Sequence, residues 1–115
     1  MQCIIYRSGR YSVEVQLKKG LLNAIVLASL MRGDSYGYRI IQDITPVVEI
    51  SESTLYPILR RLELQGALIT YSREHNGRLR KYYGITREGR EKLFNFTEEW
   101  RELVKAYDFI IANFR

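Results

Sequence analysis

Hydrophobic residues in the first third of the chain return at helical spacing. Leu17, Leu21, Leu22, Ile25, Val26, Ala28 and Ser29 share one side of a stretch with almost no charge. The pattern predicts a helix over residues 18–32, central to the core. Arg32-Gly33-Asp34 ends it, with Gly33 suited to a left-handed C-cap. Asp34 or Ser35 is then expected to cap a short second helix, SYGYRIIQDI, with Tyr38, Ile41 and Ile44 toward the core. Gly37 near its start costs about 1 kcal/mol by propensity, which a close helix–helix approach would explain. Pro46 stops this helix.

Leu55, Ile58, Leu59 and Leu62 form the apolar stripe of a third helix, and Ser53, Tyr56, Pro57 and Arg60 occupy its opposite face. The hydroxyls of Ser51, Ser53 and Thr54 can each accept from free amides at its start. A cap at Ser53 would place the bond lost at Pro57 at the first intrahelical position. Gly66 closes the helix. Two partly alternating runs follow, residues 68–71 and 79–85, with Asn76-Gly77 between them. That dipeptide tolerates positive φ at both positions, so the segment reads as a β-hairpin. Tyr82 and Tyr83 are adjacent on a strand, so one should be buried and the other exposed. His75, near the tip, is expected to be solvated.

Thr86 should cap the last helix, residues 87–113, with Glu88 in the first turn where the helix dipole favours an acid. Leu93, Phe96, Trp100, Leu103, Tyr107, Ile110 and Phe114 follow an unbroken 3-4 alternation, widened by Val104 and Ile111. A helix of this length spans roughly 40 Å. The small domain before it cannot cover it from end to end. Its far half is expected to bury against the same helix of a second copy.

Three helices, a hairpin and a long helix make a mainly α fold with a small β-hairpin. It is a winged helix-turn-helix plus one long C-terminal dimerisation helix. Residues 1–16 would be an N-terminal arm, 17–86 the winged helix, and 87–115 the dimerisation helix. The chain of 115 residues suits a single domain. One cysteine, Cys3, excludes an internal disulfide and fits a cytoplasmic setting. No stretch is apolar enough for a membrane span, and residues 1–12 lack the apolar core of a signal peptide.

The net charge is +5, and residues 51–92 hold nine Lys/Arg against five Glu, so the surplus concentrates in the third helix and the hairpin. In a winged helix-turn-helix the third helix enters the DNA major groove and the hairpin reaches toward phosphates. Tyr56 and Arg60 on the exposed face are candidate DNA contacts, with Arg78, Arg80 and Lys81 on the wing. Ser53, Thr54 and Pro57 share that surface. Arg61 is one step round and fits a phosphate contact or a structural ion pair equally. Tyr36 is balanced between a phosphate hydrogen bond and packing.

These residues carry a resemblance. The chain resembles the PadR family of bacterial transcriptional regulators in Tyr36-Gly37-Tyr38, Thr54-Leu55-Tyr56-Pro57, Leu62-Glu63 with Gly66, Gly77-Arg78, Arg80-Lys81-Tyr82-Tyr83, and Ile85-Thr86 with Gly89. The single terminal helix is similar to that of the small subgroup. The resemblance implies a homodimeric repressor of a nearby promoter on an inverted-repeat operator in double-stranded DNA. It also implies a small aromatic or hydrophobic effector; Trp100 reads either as an aromatic of the dimer core or as a platform, two facing Trp100 rings sandwiching a flat molecule with Phe96 and Val104 lining the same space.

An enzyme is a poor reading. One histidine and one cysteine lie far apart, no Cys/His cluster spaces a metal site, and no glycine-rich phosphate loop appears, so neither catalytic residues nor a cofactor are expected. Two alternatives to a DNA-binding repressor are a winged helix used only for protein contact and an RNA-binding module. Exposed Arg60, Arg78 and Arg80 disfavour the first. The second lacks stacking aromatics at single-strand spacing.

Overall fold

The computed structural model describes the backbone of residues 8–114 and the side chains of residues 18–114. Cys3 and the side chain of Leu17 lie outside the described residues. The elements in chain order are α1 (Ser8–Ser29), β1 (Ser35–Tyr36), α2 (Gly37–Ile44), α3 (Glu52–Leu64), β2 (Leu68–His75), β3 (Arg78–Ile85) and α4 (Arg87–Ala112). The winged helix-turn-helix with a long terminal helix is present as the periodicities predict.

Helix α1 begins ten residues before the expected start at Lys18 and ends at Ser29 rather than Arg32. No proline interrupts residues 8–29, so the backbone ladder continues without a stripe to demand it. Val26, Leu27 and Leu30 are fully buried and meet Ile40 and Ile44 of α2, and Leu55, Ile58, Leu59 and Leu62 of α3. The α3 stripe is thus the centre of the core, in the positions read from the sequence.

The segment before α2 departs from expectation. Ser35 and Tyr36 form a short strand, antiparallel to β3, and the sheet order is β1-β3-β2. Tyr36 therefore takes the N-cap position of α2, with extended backbone and no side-chain cap bond, and neither Asp34 nor Ser35 caps the helix. The face of α2 that turns inward carries Gly37, Ile40 and Ile44. Tyr38, one step round from Gly37, is 57% exposed rather than buried. The glycine itself behaves as predicted: a Cβ there would lie 2.8 Å from Cζ of Tyr56, so α2 and α3 touch at this point.

Of the candidate hydroxyls, Ser51 caps α3, two residues before Ser53. Its hydroxyl accepts from the Thr54 amide at 3.3 Å. Pro57 consequently lies in the second turn and leaves the Ser53 carbonyl without its helical donor. The hairpin has the expected tip. His75 pairs with Arg78, and Asn76 and Gly77 have φ of 54° and 79°, the two-residue turn that matches strand twist.

Tyr82 and Tyr83 are both buried. Alternation does send them to opposite faces, but β3 is the middle strand and both faces are covered. Tyr83 joins the core, while Tyr82 lies under Tyr36 and Tyr71. Thr86 caps α4 by accepting from the Gly89 amide at 3.0 Å and donates to the Gly66 carbonyl at 2.6 Å. This bond ties the end of the wing to the end of α3.

Helix α4 packs on α1 over its first half. Leu93 reaches the core, and Phe96 and Trp100 are half-buried with rings stacked at 5.5 Å. From Arg101 to Phe114 every residue is exposed, including Leu103, Val104, Tyr107, Ile110, Ile111 and Phe114. Among the described residues no helix is long and apolar enough to cross a membrane.

Candidate nucleic-acid interface

The burial of one α3 face presents the other. Leu55, Ile58, Leu59 and Leu62 turn inward, so Ser53, Thr54, Tyr56, Pro57 and Arg60 are exposed together. Beside them runs β3. Two adjoining hollows occupy the junction: one is lined by Tyr36, Gly37, Tyr38, Tyr56, Arg80, Lys81 and Tyr83, the other by Tyr56, Pro57, Arg60, Glu63, Lys81 and Tyr83. They share Tyr56, Lys81 and Tyr83, and so form one trough between α3 and the wing.

Among the described residues the cations around this trough have no carboxylate in ion-pair range. Among the described residues the ion pairs are Arg87–Glu91, Arg101–Glu98 and Lys105–Glu102, all on α4. Arg60, Arg78, Arg80 and Lys81 have no such partner. Lys81 holds its ammonium 5.7 Å from the Tyr83 ring, and Arg78 stands exposed at the hairpin tip. Uncompensated cations beside a protruding helix raise the local potential and draw a polyanion.

Arg61 and Tyr36, each balanced in the sequence between a DNA contact and a structural role, both have packing partners. Arg61 is half-buried, and its guanidinium donates to Asn23 Oδ1 of α1 at 3.4 Å. It faces α1 rather than the trough. Tyr36 is half-buried and packed: its ring meets Tyr82 edge-on at 5.5 Å, and the Arg80 guanidinium lies 4.4 Å from its centroid. His75, expected in solvent, is half-buried with its ring 6.0 Å from that of Tyr36.

The trough also includes residues that periodicity alone does not single out. Tyr83 is buried, and that burial raises its phenol above the ordinary value, helped by Tyr56 and by Glu63. Glu63 is half-buried and accepts from the Thr70 hydroxyl at 3.1 Å. Its carboxylate at one end of the trough disfavours a phosphate there. On the outer face of the sheet, Tyr71 donates to Asp34 at 2.5 Å, and this bond raises the Tyr71 phenol. Arg73 rests 5.2 Å from the Tyr82 ring. The sequence signal for Arg73 was present in the strand register, which pairs it with Arg80, but only once the hairpin is aligned. Among the described residues no three His, Cys, Asp or Glu side chains gather to hold a metal.

The comparison with known proteins agrees with this geometry. The family model described as "Transcriptional regulator PadR-like family" matches residues 26–95, from the core of α1 into α4. The crystal structure of smu.1704 from Streptococcus mutans is similar with a TM-score of 0.76 at 44% identity, covering 83% of this chain and 90% of that one. A PadR-like transcription factor from Bacteroides fragilis has a TM-score of 0.75 at 32% identity, covering 86% and 98%. An uncharacterised protein of Lysinibacillus sphaericus is 33% identical over 104 residues, 86% of this chain and 95% of its own length. The shared profile, the shared fold and the basic trough beside α3 lead to one conclusion: the chain belongs to the PadR-like family of transcriptional regulators, DNA-binding proteins rather than enzymes.

Proposed function

We propose that the protein is a cytoplasmic homodimeric repressor that reads an inverted-repeat operator. The observation that carries this reading is the exposed apolar stripe of α4. Leu103, Val104, Tyr107, Ile110, Ile111 and Phe114 are uncovered on one rod that extends well beyond the winged domain. A second α4 is the simplest cover, since a two-fold axis brings identical stripes together. Such a dimer presents two α3 helices to successive major grooves of one duplex. Tyr56 and Arg60 then face base edges, with Pro57 against the groove wall. Ser53, Thr54, Arg78, Arg80 and Lys81 take phosphates. Arg61, bonded to Asn23, serves the fold.

Derepression follows from the same layout. The stacked Phe96 and Trp100 lie on the α4 stripe, where two-fold symmetry brings a second pair of rings opposite them. A flat aromatic effector inserted between the rings would tilt the two α4 helices. Thr86 joins α4 directly to the wing, so the tilt changes the spacing of the α3 helices.

Footprinting on DNA upstream of the chain's own gene, with sedimentation of the same sample, tests the reading. Two protected half-sites about 34–36 Å apart and a dimer mass are expected. A monomer that ignores duplex DNA at low ionic strength refutes it. An effector that leaves both spacing and affinity unchanged removes the derepression step alone.

A further inference from the structure

The outer face of the hairpin contains an arrangement that the fold does not need. Arg73 and Arg80 are directly opposite each other in the β2–β3 register. Like charges in that relation repel and weaken a sheet. No described carboxylate lies within ion-pair range of either one. Each guanidinium instead rests on a ring: Arg80 lies 4.4 Å from the Tyr36 centroid and Arg73 lies 5.2 Å from that of Tyr82.

The rings are themselves braced. Tyr36 pairs with Tyr82 across β1 and β3, and the two meet edge-on. Tyr82 stacks on Tyr71 at 5.8 Å and 15°, and the Tyr71 hydroxyl is tied to Asp34. Arg80 Nε is buried with no hydrogen-bond partner, so the Tyr36 ring, rather than a polar bond, sets the position of this side chain. Two cations are thus kept adjacent by aromatic contacts that leave their charge intact. An anion beside them removes the repulsion between them.

We propose that Arg73 and Arg80 form a two-cation seat for the DNA phosphodiester backbone on the outer face of the wing, with Tyr36 and Tyr82 as the positioning residues that hold it. This rests on the DNA-binding reading above and adds Arg73 to the contact set. It also gives Tyr36 a role other than hydrogen bonding to phosphate. The Tyr36 ring is the working part, and its hydroxyl is dispensable.

Fluorescence anisotropy with a mixed-sequence duplex, titrated with salt, tests the seat. The logarithm of affinity falls linearly with the logarithm of salt, by about 0.9 for each phosphate contact. Arg73→Gln and Arg80→Gln should each lower that slope by about one contact. Tyr36→Leu should match Arg80→Gln and add nothing when combined with it, whereas Tyr36→Phe should bind as the parent does. Parent slopes for both arginine variants, with Arg60→Gln still weakening binding, overturn the seat and leave the DNA-binding reading intact. A loss in Tyr36→Phe equal to that in Tyr36→Leu overturns the positioning role. If Tyr36→Leu fails to fold, the arginine variants and Tyr36→Phe decide alone. A parent protein that binds no duplex at low salt removes both readings together.

Discussion

Replacing Gly37 by alanine separates stability from DNA binding. The new Cβ would lie 2.8 Å from Cζ and 3.0 Å from Cε1 of Tyr56, and closer still to its hydroxyl. Tyr56 is 42% exposed, so its ring can swing away without moving backbone. Alanine gains at most about 1 kcal/mol in helix propensity. A displaced ring costs about 0.5–1.5 kcal/mol if it leaves its rotamer. These oppose each other, and stability should change by less than about 1 kcal/mol. Binding should not be spared. A hydrogen bond from Tyr56 to a neutral base edge contributes about 0.5–1.5 kcal/mol. Its loss weakens affinity roughly two- to tenfold. Urea denaturation reads the first quantity and anisotropy on duplex DNA at fixed salt reads the second. Gly37→Ala should bind as weakly as Tyr56→Ala, and the double variant no more weakly than Tyr56→Ala. Parent-like binding by Gly37→Ala alongside a weak Tyr56→Ala would refute the reasoning. So would a stability loss above about 3 kcal/mol, which would mean the neighbourhood cannot yield.

Gly89→Ala should behave in the opposite way, because its Cβ would meet the Ala67 carbonyl and lie 2.7 Å from Ile85 Cγ1. That carbonyl accepts from the Thr86 amide and cannot move freely, so calorimetry should show a loss of about 1–3 kcal/mol. Ile110→Glu places a charge on the exposed α4 stripe; sedimentation should shift toward monomer with far-UV dichroism unchanged, and a persistent dimer would contradict the α4 pairing. Alkaline pH should lower stability through Tyr71. Its phenol is raised in the folded state from the ordinary 10.0 by donating to Asp34, so the contribution is present below that value and lost as pH rises through the folded one. Tyr71→Phe should flatten the alkaline limb of a urea-midpoint profile, and an unchanged limb would exclude Asp34 as the cause.

Much of the candidate site was legible along the chain. The α3 stripe of Leu55, Ile58, Leu59 and Leu62 is buried as its spacing requires, and that alone turns Tyr56, Pro57 and Arg60 outward. The cap at Thr86 and the Asn76-Gly77 turn are chemically dictated, since each needs a local hydroxyl or a residue tolerant of positive φ. The cap of α3 is ambiguous along the chain because Ser51, Ser53 and Thr54 all carry suitable hydroxyls within one turn, and only backbone direction selects Ser51.

What sequence alone determined, then, is the order of the four helices and the hairpin, the buried stripe of α3 and the basic surplus around α3 and the wing. Periodicity is a local property: each element reports which of its own sides is apolar. Tertiary structure decided everything that depends on a neighbour distant along the chain. A two-residue β1 is too short to have a period, yet its pairing with β3 makes β3 central and buries both Tyr82 and Tyr83. The same pairing puts Tyr36 beneath Arg80, while α1 draws Arg61 away to Asn23. A side chain's direction follows from its element, but its role follows from what another element brings within reach.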